Sequence, residues 1–158
     1  MTSNTLPPGW VETEVREFCD LQRGSSPRPI ANWVTLSDGQ PWVKIADLPE
    51  HSRILNDTKE RILFDGVQYS TSVVPGDLIL SNSATPGIPI FMGINACIHD
   101  GWILFRNFRG MDKMYFFYHL LYSRPHFLNQ VAGAVFNNLN IDLVSRFKVN
   151  LPPLNEQK

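Results

Sequence analysis

The sequence predicts an α+β fold: a single domain with a twisted mixed β-sheet, short helices and long polar loops. Three observations predict it. Of 158 residues, 43% are hydrophobic and 11% aromatic against 18% charged, which is the profile of a chain with a core, not of a disordered tail. Twelve Pro and ten Gly cut the chain into short segments separated by turns. Apolar runs of strand length fill the middle, and an aromatic run of helical length opens the last third.

Residues 1–9 are polar and Pro-rich and read as a frayed opening. Thr13 is placed to cap a helical turn, Glu14 to Phe18. Residues 19–23 read as a strand running into Gly24-Ser25-Ser26-Pro27-Arg28-Pro29, where Gly and Pro stop regular structure. Pro41 to Leu48 is a strand with Val43 and Ile45 on one face, Trp42 and Lys44 on the other. Asp57 or Thr58 caps a short helix, Lys59 to Leu63. Pro75-Gly76 marks a turn before the strand Leu78-Ile79-Leu80, and 81–87 is a polar loop. Ile88 to Asn95 and Ile103 to Arg106 are further strands, joined around Asp100-Gly101. Asp112 caps a helix from Lys113 to Ser123, and Pro125 begins the next, carrying Phe127, Leu128 and Val131. An extended loop over 133–139 leads to Asn140 or Asp142, either of which starts a short helix through Phe147.

Several function classes are disfavoured at once. The N-terminus lacks a basic and apolar leader, and no apolar run approaches the roughly 20 residues that cross a bilayer, so the expectation is a soluble, cytoplasmic chain with no membrane partner. Cys19 and Cys97 stand in unrelated contexts with no His at ligand spacing; buried free thiols are favoured over a disulfide or metal site. No Gly-x-Ser-x-Gly elbow is present, and His51, His99, His119 and His126 have no defined relation to any Ser. A net charge of −1 argues mildly against a nucleic-acid binder, though a local basic face matters more than the total.

Four motifs run in order along the chain: Leu6-Pro7-Pro8-Gly9-Trp10 with the following Gly-Ser loop, Trp42 to Leu48, Val74-Pro75-Gly76-Asp77-Leu78-Ile79-Leu80-Ser81, and Leu151-Pro152-Pro153-Leu154-Asn155-Glu156-Gln157. None is specific alone. Together they span almost the whole chain, which resembles the target-recognition domain of the specificity subunit of type I restriction–modification enzymes. The resemblance implies a DNA-reading domain over 1–150 and, over 151–158, the start of a coiled-coil spacer helix. Full-length members carry two of each, so it implies a piece of a longer gene product. It also implies recognition of one half of a bipartite duplex site without catalysis. The partners it implies are double-stranded DNA, methyltransferase subunits that modify adenine N6, and a restriction subunit. S-adenosylmethionine, ATP and Mg are then expected only in those partners. The sequence agrees in lacking a Walker A loop, and Leu151-Pro152-Pro153-Leu154 lacks the flanking residues of a methyltransferase loop.

A DNA reader needs donors for phosphates and amide or guanidinium forks for bases. Arg23, Ser25, Ser26 and Arg28 supply them on the Gly24 loop; a solvated surface turn explains them equally. Ser81, Asn82, Ser83 and Thr85 suit phosphates, or adenine through Asn82; a self-bonded turn is the alternative. Arg106, Asn107, Arg109 and Lys113 are the favoured phosphate patch, because residues 101–150 hold six bases against two acids, a local +4. Asn137 and Asn138 fit base readout or helix caps. Lys44, Thr58 and Lys59 are added as connector residues beside the family-like strands. The aromatic run Tyr115 to Tyr122 reads as a core helix with Tyr tips outside, and His119 as a satisfied core or boundary residue. Other readings are the recognition domain of a related type II fusion enzyme, a protein-interaction module using the aromatic helix, and a small hydrolase or transferase using Cys or Ser.

Overall fold

The computed structural model describes residues 5–133 and 138–158. In chain order the elements are β1 (Val11–Glu14), α1 (Val15–Phe18), β2 (Asp20–Arg23), β3 (Val34–Thr35), β4 (Gln40–Val43), β5 (Ile54–Leu55), β6 (Glu60–Ile62), β7 (Thr71–Val73), β8 (Leu78–Ser81), β9 (Pro89–Met92), β10 (Ala96–Ile98), β11 (Trp102–Arg106), α2 (Lys113–Ala132), α3 (Ile141–Ser145) and β12 (Lys148–Leu151). The fold is α+β, but the expected single sheet is two. One runs β3-β6-β4-β10-β7, the other β2-β11-β8-β9-β5, and β1 pairs with β12. Both large sheets are mixed: β10 lies parallel to β4 and β5 parallel to β9, and the other pairings are antiparallel.

The reason lies in β8 and β11, which are apolar on both faces. Leu78, Leu80, Ile103 and Phe105 enter a core with α2, while Ile79, Trp102 and Leu104 enter a second core with Val43, Val73 and Ile98 of the other sheet. The second sheet therefore lies on one side of this pair and α2 on the other. Fully buried Trp102 crosses the inter-sheet core, and its Nε1 donates to Val43 O at 3.1 Å. A smaller cluster, Trp42, Ile62 and Cys97, forms on the far face of the second sheet.

Several local expectations change. Thr13 lies in β1, and Glu14 rather than Thr13 precedes the helical turn. The strand from Pro41 stops at Val43, because Asp47 Oδ2 accepts Lys44 N–H at 2.8 Å and turns Ile45–Asp47 into a 3-10 turn. Lys59 to Leu63 is not helical. Glu60–Ile62 pairs with β3 and β4 and buries Ile62, so tertiary pairing overrides local propensity. Strand β10, the apolar triplet Ala96–Ile98, was not expected as a strand of its own.

Asp112 caps α2 as expected, its Oδ1 accepting from Met114 N at 2.9 Å and Tyr115 N at 3.0 Å. The two expected helices are one, with Pro125 inside. Pro125 and Leu121 are both exposed, so water can serve the carbonyl that the missing N–H leaves free. Phe116, Phe117, Leu120, Phe127 and Val131 make the buried stripe, while Tyr118 and Tyr122 are exposed. Asn140 caps α3 through Asp142 N at 2.7 Å. Leu151 is still in β12, and a turn follows over 154–156. Buried Gln157 fastens that turn: its Oε1 accepts Asp112 N–H at 2.7 Å, and its Nε2 donates to Gly110 O and Pro152 O. Among the described residues no helix is long and apolar enough to cross a membrane.

His119 is half-buried beside Tyr115 and Phe147, with no hydrogen-bond partner for Nε2 among the described residues, so the expected satisfied histidine is not found. Burial holds His119 below the ordinary imidazole value, and mainly does the same for His99. The unfolded chain binds protons near pH 6.5 that the folded chain refuses, so this contribution to stability is full above that pH and falls as the pH drops through it. The melting temperature is expected to fall between about pH 7.5 and about pH 5.5, and to fall less in His119→Phe. Thermal scans across that range check it.

Candidate nucleic-acid interface

Gly24 brings a loop against a turn. Its N–H donates to Trp102 O at 2.9 Å, and Ser25 N–H donates to Ile98 O at 3.2 Å. A Cβ at Gly24 would sit 1.9 Å from His99 O, so only glycine fits. Ser70 Oγ donates to Ser25 O at 2.7 Å, and Ser25 Oγ lies 3.1 Å from Thr71 Oγ1. The 24–29 loop is thus fastened to the turn between β10 and β11 chiefly by backbone groups.

Asp100, on that turn, gathers the side chains. Its carbonyl accepts from Arg23 Nε at 3.1 Å and from Asn82 Nδ2 at 3.1 Å. Its carboxylate accepts from Arg28 at 3.2 Å. Next to it, Ser26, Arg28, Ile30, Trp42, Lys44, Glu60, His99 and Asp100 line an open concavity of about 290 Å³. Lys44 Nζ is paired with both oxygens of Glu60, at 3.2 and 3.1 Å. His99 Nδ1 accepts Gly101 N–H at 2.8 Å, which fixes a neutral ring with its proton on Nε2. Nδ1 is 3.8 Å from Asp100 Oδ1, too far for a hydrogen bond.

The structure therefore brings Arg23, Ser25, Ser26, Arg28 and Lys44 together. Asn82 and Ser83 adjoin them from behind. Asn82 is 3% exposed, and its Oδ1 has no partner among the described residues. Leu139 N–H donates to Asn82 O at 2.6 Å, so exposed Asn138 runs beside this loop; Asn137 lies outside the described residues.

Other expected site residues are engaged elsewhere. Ser81 is fully buried and donates to Thr85 O at 2.6 Å, the self-bonded turn that was the alternative. Thr58 is buried with its hydroxyl on Glu60 O, while Lys59 is exposed. In the favoured basic patch the two arginines are paired with acids from outside its own stretch. Arg106 donates through Nε and an NH₂ group to the buried carboxylate of Asp77, and also to Ser72 O. Arg109 spends Nε and both terminal nitrogens on Glu17 O, Arg16 O, Asn107 O and Asp20. Asn107 and Arg109 hold the Asp20 carboxyl below the usual range. Lys113 Nζ donates to Gly76 O at 3.1 Å over the Phe108 ring. Counting charge along the sequence could not reveal these long-range pairings. His99, Asp100 and Glu60 escaped the sequence reading, which took Asp100-Gly101 as a bare turn.

Both thiols are buried. Burial drives the Cys19 pKa up to about 12 and raises that of Cys97, leaving neither a ready nucleophile. Among the described residues no cluster of three or more His, Cys, Asp or Glu could hold a metal.

The family model described as the type I restriction modification DNA specificity domain matches residues 7–158. The chain belongs to this family. As a specificity domain it also matches solved structures. One is the HsdS subunit from Thermoanaerobacter tengcongensis, with 24% identity and a TM-score of 0.76, covering 99% of this chain and 37% of that one. Another is a chain from work described as the structural basis underlying complex assembly and conformational transition of the type I R-M system, with 25% identity, a TM-score of 0.78 and the same coverage. The S subunit from M. genitalium follows at 12% identity and a TM-score of 0.66, with 99% and 38% covered. The specificity domain thus spans less than two-fifths of each solved chain.

Arg106→Ala is expected to cost about 1.5–3 kcal/mol, because the buried Asp77 carboxylate loses its charged donor. Arg28→Ala, at an exposed ion pair, should stay within about 0.5 kcal/mol of the parent. Denaturant midpoints for the two variants check the contrast.

Proposed function

We propose that this specificity domain reads one half of a bipartite site in double-stranded DNA and performs no chemistry itself. The observation that carries the reading is the cluster around Asp100. There two guanidiniums, one at the end of β2 and one on the loop that follows, and two serine hydroxyls are held beside the β10–β11 turn, to which the loop is fixed by its backbone, with Lys44 alongside. Fixed donors on a rigid frame are what groove recognition requires. In this reading the two halves of the site are read by two such domains on one longer subunit. Methyltransferase subunits that modify adenine N6 and a restriction subunit are its partners. S-adenosylmethionine, ATP and Mg are bound by those partners and not by this chain, and the assembly works in the cytoplasm.

Titration of the chain against a pool of duplex DNA at two salt concentrations tests this. Binding should weaken with salt, and Arg23→Ala should reduce the salt slope by about 1. Lys113→Ala, whose ammonium is tied to Gly76 O on another face, should leave the slope unchanged. Absence of binding at low salt, both alone and joined to a methyltransferase partner, would overturn the reading.

A further inference from the structure

The concavity beside Asp100 offers donors and acceptors without net charge, and that distinguishes a base from a phosphate. Arg28 and Lys44 bring two positive charges, Asp100 and Glu60 cancel them, and His99 is neutral. A phosphate entering here meets two carboxylates along with the cations. Arg23 lies outside the concavity, bonded only to the Asp100 carbonyl, and keeps an uncancelled charge for a flanking phosphate.

Arg28 is 69% exposed on its side chain and has one donor engaged, the contact to Asp100 Oδ2. The rest of its fork is available. Asp100 Oδ1 has no hydrogen bond among the described residues and stands beside that fork. A G·C pair presents the complement on one groove edge: guanine O6 and N7 accept, and cytosine N4 donates. An A·T pair would set the adenine N6 donor against the guanidinium. A carboxylate behind an arginine also reduces the rotamer freedom lost on binding.

We propose that this concavity reads a G·C pair, with Arg28 donating to guanine O6 and N7 and Asp100 acting as the positioning residue that holds the fork and accepts from cytosine N4. The proposal rests on the DNA-recognition reading above and adds the base pair and the residues that select it.

Selection of the chain from a randomised duplex pool tests it, with Arg28→Lys and Asp100→Ala in parallel. The parent should enrich a motif containing a G·C pair at one position. Arg28→Lys keeps the charge but not the fork, so it should lower preference at that pair about tenfold and leave the salt slope unchanged. Asp100→Ala should weaken preference at the same pair only. Replacing that guanine by 7-deazaguanine, which lacks the N7 acceptor, should weaken the parent several-fold and Arg28→Lys less. A motif whose every position is indifferent to Arg28→Lys, or a uniform loss at all positions, overturns the base assignment and leaves DNA recognition standing. Enrichment of no sequence by the parent overturns the recognition reading itself.

Discussion

Two adjacent strands that are apolar on both faces set the architecture. Because β8 and β11 cannot show either side to water, they must be covered twice, by α2 on one face and by a second sheet on the other. Trp102 fixes the spacing between the sheets, with its ring in the shared core and its N–H on Val43 O. The turn that leads into β11 carries His99 and Asp100, so the covered strand also locates the candidate recognition surface. Burial of the sheet interior and placement of the surface loops are thus one problem with one solution.

The surface shows how charge is partitioned on a chain with almost none to spare. Arg106 and Arg109 are engaged by other parts of the chain, one by the buried Asp77 and the other, at the surface, by the carbonyls that end α1 and by Asp20. Arg23 and Arg28 meet only the exposed turn at Asp100, through single contacts that another acceptor can replace. A net charge of −1 is compatible with nucleic-acid binding because exposed donors such as Arg23 and Arg28 gather beside one turn, and a local arrangement of charge matters more than the total.

Much of the frame was legible in the sequence. Short apolar runs, the Pro75-Gly76 turn, and Asp112 and Asn140 as caps all found their places, while the Trp42 strand ended early at Val43 and residues 151–158 formed strand and turn where a helix was expected to begin. The second sheet was not legible, because β6 has no strand pattern over three residues and is made by its partners β3 and β4. Pro125 misled for the converse reason: a proline that normally opens a helix sits on the water-facing side of a longer one. At the site, the Arg23–Arg28 loop was legible because glycine and basic side chains coincide there. Asp100 was not, because its significance comes from three residues distant in the chain that converge on it.

The 24–29 loop is fastened chiefly through its backbone. Its anchors are the N–H groups of Gly24 and Ser25 and the carbonyl of Ser25, groups that every residue except proline supplies in full. Only the missing side chain at Gly24 is demanded by the fit. The side chains of half-buried Ser26 and exposed Arg28 can therefore be rewritten without loosening the loop from its turn, while Pro27 between them is buried. A frame of this kind separates what the loop presents to its surroundings from what holds it in place, so substitutions at its exposed side chains leave the buried strands as they are.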